Sequence, residues 1–259
     1  MHSLIFLKTM KLLNKFIKEK SIITLITTFI YLVILFILIY IYNGNSMIYY
    51  PIDPYVYASP PVDFFLPLLV TIPFSFYTYH IVKNGFIDYA GVRIAKRKYL
   101  TYYILSALIS CFVMVFVVNI LAIVFSYNVA SITSEVSKPS YIGYFLGNLQ
   151  MNNPIIFGII WSIYKAFLAT LICLFGQIIS IYVGNLFLVL LAPFIYSVLE
   201  NFITGVLRIP QFSFTTALIL DRLEENLMRP INIIIGILIF AIVIYLTYRL
   251  LRSKYEKDK

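Results

Sequence analysis

Apolar residues run along this chain in blocks of about twenty, each closed by a short polar or charged cluster, and a block of that length lets one helix cross a bilayer. Six blocks predict six transmembrane helices, at about 22–42, 63–82, 99–126, 155–179, 184–203 and 231–250. Residues 155–203 form one long apolar stretch that needs a break to count twice. Gln177, Ser180, Gly184 and Asn185 supply it, because polar and small residues suit a short turn between antiparallel helices. Without that turn the count falls to five.

The segments outside the blocks carry their own patterns. On a helical wheel Ile5, Phe6, Met10, Leu12, Leu13, Phe16 and Ile17 share an arc of roughly 160°, with Lys8, Lys11, Lys15 and Lys18 opposite. Leu4 and Leu7 break the pattern. Residues 1–21 are therefore expected to form an amphipathic interface helix, its lysines at anionic headgroups and its apolar face in the acyl boundary. The alternative is a frayed basic tail that only orients the first span. That span is longer than a signal-peptide core and no small-x-small cleavage site follows, so it reads as an uncleaved anchor. The first outside loop, NGNSMIYYPIDPYVYASPP, has no cation and several prolines, and is expected to be an extended, tyrosine-rich surface segment. The loop before the last span contains FSFTTALIL, too short to cross, which lies in the interface or dips in and returns. The fold class expected is all-α, one polytopic domain over 1–259.

Composition agrees with this reading. The chain is 61% hydrophobic and 12% charged, against about 25% charged in ordinary soluble domains. Mean hydropathy is +0.92. A net charge of +9 would suit nucleic acid, but the cations border the apolar blocks, where a bilayer places them, so no nucleic-acid partner is expected. Lys8, Lys11, Lys15, Lys18 and Lys20 precede the first span, Lys83, Arg93, Lys96, Arg97 and Lys98 separate the second and third, and Arg249, Arg252, Lys254, Lys257 and Lys259 end the chain. With six spans all three clusters fall on one side, and the positive-inside rule puts them and both termini in the cytoplasm. Five spans would move the basic tail across. Cys111 and Cys173 lie in separate apolar blocks and read as packing residues.

Motifs for chemistry are few. The sequence has no GxxxxGK[ST], HExxH, CxxC or nucleophile elbow, and no catalytic, metal or cofactor residues are assigned. Glu224, Glu225 and Arg229 match the EExxxR pattern of the intramembrane CAAX-type protease family. That chemistry needs histidines nearby, and the chain has only His2 and His80. A charged surface turn explains the pattern better. Lys165 stands about ten residues into the fourth span, where an uncompensated cation costs at least ~2.5 kcal/mol, which makes it a functional-site candidate. Glu200 is its candidate partner, at a depth differing by roughly 9 Å. Lys165 and Glu200 together mark a possible translocation pathway. The alternative is a span that starts later and a lysine that snorkels outward. Asn119, Gln177 and Asn185 suit interhelical hydrogen bonds or turns, and Pro67, Pro73 and Pro193 can kink their helices.

Residues 84–103, NGFIDYAGVRIAKRKYLTYY, resemble the cytoplasmic loop of the ABC type-2 permease family, the membrane subunits of ABC exporters. In that family an amide or acidic residue after span two is followed by an "R-x-x-(R/K)-x-x-Y" type entry into span three, and Arg93, Lys96, Arg97 and Tyr99 stand at the matching places. Asn84 and Asp88 replace the usual glutamate. The order of six spans with the segment before the last is also similar. The resemblance implies a coupling helix seated on a separate ATP-binding subunit that holds ATP and Mg, and a second permease subunit, identical or related. Ile87, Asp88, Tyr89, Val92, Arg93, Ile94, Lys96 and Arg97 would then form the coupling surface. It further implies export of an amphipathic or hydrophobic substrate, such as a peptide, bacteriocin, lipid or drug. The richness in Ile, Lys, Asn, Tyr and Phe resembles proteins of low-GC Gram-positive bacteria, where such permeases export antimicrobial peptides or confer immunity, at the plasma membrane. Other readings are a membrane scaffold or sensor subunit without transport and, third, a membrane-embedded enzyme.

Overall fold

The structure, a computed structural model, describes residues 2–86, 89, 95–132, 142–143, 146–219, 222–223, 226–227 and 229–257, and the side chains of these except 2–10, 97 and 254–257. Among these residues the regular elements are all helical: α1 His2–Asn45, α2 Asp53–Lys83, α3 Lys96–Val129, α4 Gly147–Asn152, α5 Pro154–Tyr182, α6 Leu186–Val206, α7 Phe214–Leu218 and α8 Pro230–Lys257, with a 3-10 turn at Pro210–Phe212. Six of them (α1, α2, α3, α5, α6 and α8) are long and apolar enough to cross a membrane. Large apolar side chains such as Ile22, Phe29, Phe187, Phe202 and Leu238 face outward, as lipid-facing surfaces do and water-facing ones rarely do. The chain is a multi-pass membrane protein.

The core is built on α2 and α5. They pack on each other; α2 also meets α1, α3 and α6, and α5 meets α3, α6 and α8. Side-chain contacts show which helix ends share a face. Phe16 of α1 meets Tyr99 and Tyr103 of α3 edge-on, ring centroids 5.0 and 5.2 Å apart. Tyr77 and Ile81, at the end of α2, join that cluster. The Tyr79 hydroxyl donates to the Gly184 carbonyl at 2.7 Å, and Tyr182 meets Tyr248 at 6.2 Å. The start of α1, the ends of α2, α5 and α8 and the start of α3 therefore lie together; this is the basic face. At the opposite face Asn43 Nδ2 donates to the Val129 carbonyl at 2.9 Å, and Asp53 Oδ1 accepts from Gln150 Nε2 at 2.9 Å.

Three segments differ from, or sharpen, the expectation. The amphipathic stretch and the first span are one unbroken helix, and Leu12 and Phe16 of its apolar face pack on α2 and α3. The loop expected to be extended is helical from Asp53, ten residues before the predicted start of the second span, with Tyr55, Val56, Ala58 and Ser59 buried. Pro54 sits in the first turn, where its missing N–H costs nothing. Pro60 would leave the Val56 carbonyl unbonded, but Ser59 Oγ donates to it at 3.3 Å. Finally, α5 runs through Gln177 and Ser180 and stops at Tyr182. The break lies at 183–185, where Asn185 Oδ1 accepts from the Phe187 N–H at 2.9 Å and caps α6. Within FSFTTALIL it is α7 that turns inward: Phe214–Leu218 are buried against α6, α8 and α2, while the 3-10 turn before it has no buried residue. Gly236 of α8 gives the turn room, since a Cβ there would lie 3.0 Å from the Phe212 carbonyl oxygen.

Candidate functional site

Lys165 lies eleven residues after Pro154, the start of α5, and Asp63 ten residues after Asp53, the start of α2. Both helices start at the same face, so at 1.5 Å per residue both side chains leave the backbone about 15 Å from the helix starts, at matching depth inside the apolar bundle. There Lys165 Nζ and Asp63 Oδ2 are 2.7 Å apart, with side chains 0% and 1% exposed. The Tyr55 and Trp161 rings stand 5.2 and 5.5 Å from the ammonium, near enough for their negative faces to help hold it. The Tyr55 hydroxyl donates to Asn119 Oδ1 at 2.7 Å, and Asn119 Nδ2 donates to the Val115 carbonyl at 2.7 Å. Tyr31 of α1 is fully buried in the same core. The attraction of the pair stands against a desolvation cost of several kcal/mol per ion, so the pair persists only while both partners stay together. Chemically, a proton or another cation could take the place of the ammonium on the Asp63 carboxylate, and an anion that of the carboxylate beside Lys165.

Around the pair the two helices meet along a polar seam. Tyr55, Ser59, Asp63, Thr71, Ser75 and Tyr79 recur on α2 at multiples of four residues and are all buried; the row drifts about 40° with each step and so winds round the helix, Tyr55 turning to Asn119 of α3 and Asp63, Thr71 and Ser75 to α5. Thr78 Oγ1 donates to Gln177 Oε1. Gly176 permits the close approach, because a Cβ there would lie 2.7 Å from Ser75 Oγ and 2.7 Å from Thr71 Cγ2.

Glu200 is not the partner of Lys165. Its carboxylate accepts from Ser213 Oγ at 2.9 Å, the Phe214 N–H at 2.9 Å and Thr215 Oγ1 at 2.9 Å. Those donors stand at the start of α7, where free N–H groups attract a carboxylate, so Glu200 is the clamp of the inward-turning segment. The snorkelling alternative for Lys165 is overturned too, since its side chain is enclosed. Of the predicted coupling residues, Tyr89 and Lys96 are exposed. Arg97 lies in the first turn of α3 with its side chain outside the described residues, as are Ile87, Asp88, Val92, Arg93 and Ile94 altogether. Glu224 and Glu225 also lie outside them. Asn119, Gln177 and Asn185 do act as hydrogen-bonding and turn residues, and both cysteines are buried free thiols.

Two residues escaped sequence reasoning. Asp63 is the first residue of the second apolar block, 63–82, so the sequence pattern sets it at the mouth of a span rather than inside one. Lys20 was counted among the cations that set topology, yet it is fully buried and donates to the Tyr103 carbonyl at 2.9 Å and Ser106 Oγ at 2.6 Å. No protein-family model, curated protein or solved structure matches the chain.

Proposed function

We propose that the chain is the permease subunit of a type-2 ABC exporter, moving an amphipathic or hydrophobic substrate with ATP hydrolysed by a separate subunit. The observation that supports this most is the order of elements. Six spans are joined by a basic connection between the second and third, with a short buried helical segment before the last. The connection joins the end of α2 to the start of α3, and both ends hold α1 through Phe16, while Lys20 adds its bonds to α3. A push by an ATPase on residues 83–98 would thus be felt by three helices at once, and α2 carries it to Asp63. The reading includes both termini in the cytoplasm, a second permease subunit, and the plasma membrane of a low-GC Gram-positive bacterium. Cargo of the antimicrobial-peptide kind fits the aromatic, mostly uncharged spans.

The test is a mild-detergent pull-down of the tagged chain from its host, with mass spectrometry and an ATPase assay on the eluate. A co-purifying Walker-motif subunit, lost on reversing Arg93 and Arg97 to Glu, is the expected result. A folded chain that repeatedly arrives without an ATPase would favour the scaffold or sensor.

A further inference from the structure

The N-terminal half of α1 presents two opposed faces. One is committed to protein: Phe16 is 1% exposed against Tyr99 and Tyr103, and Lys20 is held by the start of α3. Those contacts set the rotation of the helix, so the residues opposite must face away from the bundle. They are Lys11, Lys15 and Lys18, all exposed, which with Asn14 and Glu19 line a shallow pocket of about 510 Å³. Lys15 lies 3.8 Å from Glu19, the one acid there among the described residues.

The same face continues without a break into the membrane. At 100° per residue Lys11, Lys15, Lys18, Ile22, Leu25 and Phe29 fall within an arc of about 80°. Ile22, Leu25 and Phe29 are 70%, 67% and 68% exposed. Because α1 is a single helix through all six, three cations stand directly above a strip of open apolar surface. A soluble acidic protein could meet the lysines but not the strip below them. A hydrocarbon chain could meet the strip but not the lysines. An anionic phospholipid matches both parts at this spacing.

We propose that this face of α1 is a binding site for an anionic phospholipid, its phosphate held by Lys15 and Lys18 with Lys11 above, and an acyl chain lying along Ile22, Leu25 and Phe29. The site does not depend on the transport reading. It keeps the expectation of lysines at anionic headgroups and changes its apolar part: Leu12 and Phe16, two of the residues predicted to enter the acyl boundary, are spent on protein contacts, and the acyl chain lies along Ile22, Leu25 and Phe29 instead.

The test uses the full chain in detergent with Ile22→Trp, reading quenching by brominated phosphatidylglycerol against brominated phosphatidylcholine, with the emission of the buried Trp161 subtracted from the parent chain. Phosphatidylglycerol is expected to be preferred, by about fivefold for each lysine engaged. K11Q/K15Q/K18Q should bring the ratio close to one, and because these side chains are exposed the variant should fold. K96Q/K98Q, at the exposed start of α3, should leave the ratio unchanged. No preference in the parent, or an equal fall in both variants, overturns the site in favour of diffuse attraction. Loss of the preference on adding inorganic phosphate, but not chloride at matched ionic strength, would assign the lysines to a free anion and also overturn it. So would an unchanged lipid ratio in the triple variant with loss of a co-purifying protein, which would make the face a protein dock.

Discussion

At the scale of single residues, the Asp63–Lys165 pair joins α2 to α5 at a depth where neither charge is tolerable alone. Lys165→Met should cost about 3–5 kcal/mol, because it leaves a buried carboxylate uncompensated. Asp63→Leu should cost about as much, whereas the double variant should recover most of the loss, since packed apolar groups replace an ion pair at little expense. Unfolding in mixed micelles of increasing SDS gives the four stabilities, and additive losses would show that the two residues act independently. Glu200 belongs to a different unit. Glu200→Ala removes the acceptor of Ser213, Phe214 and Thr215, and is expected to loosen α7 by about 2 kcal/mol. Hydrogen exchange at residues 213–218 should rise about thirtyfold in the variant while exchange in α5 stays unchanged.

The helices α2 and α5 show which parts of the element level were legible in advance. Long apolar runs announce themselves because a bilayer requires every backbone group to be bonded within the helix, and all six spans were recovered for that reason. The beginning of α2 was not recovered. Pro60 and Pro61 stop a helix in water, but in a membrane bundle neighbouring groups such as Ser59 Oγ can satisfy a freed carbonyl. That ten-residue error moved Asp63 from the interior of the bundle to an apparent edge, and so hid the partner of Lys165 while Lys165 itself stood out. Lys20 was hidden differently, because composition registers a cation but not the Tyr103 carbonyl that receives it. The seam between these helices carries its own prediction. Gly176→Leu places side-chain atoms where Ser75 Oγ and Thr71 Cγ2 already lie, and should destabilise the bundle by about 1–3 kcal/mol. A Thr78→Cys/Gln177→Cys pair, made in a background with the native thiols replaced, should be bridged by a short bifunctional thiol reagent, which makes up the length of the lost glutamine side chain, readily in the parent and poorly beside Gly176→Leu. Equal cross-linking would mean that the seam has slack which the close contact at Gly176 does not suggest.

For the whole molecule the decisive property is parity. An even number of crossings gathers the described cations Lys11, Lys15, Lys18, Lys83, Lys96, Lys98, Arg249 and Arg252 at the basic face, and leaves Arg208, Arg222 and Arg229 at the other. An odd number would split the first group, and the bias that orients membrane proteins would be lost. Both native cysteines are buried, so single introduced cysteines can report sidedness against a low background. Lys11→Cys and Ser253→Cys should react with a membrane-impermeant maleimide from one side of sealed vesicles, and Ser131→Cys and Asn153→Cys from the other; all four positions are exposed. The reactive side for residues 11 and 253 is expected to be the cytoplasmic one, because lysine and arginine are retained there. Opposite labelling of residues 11 and 253 would require an odd number of crossings. The connection at 183–185 would then be the first place to look, since it is the shortest between consecutive spans and the one on which six rather than five depends.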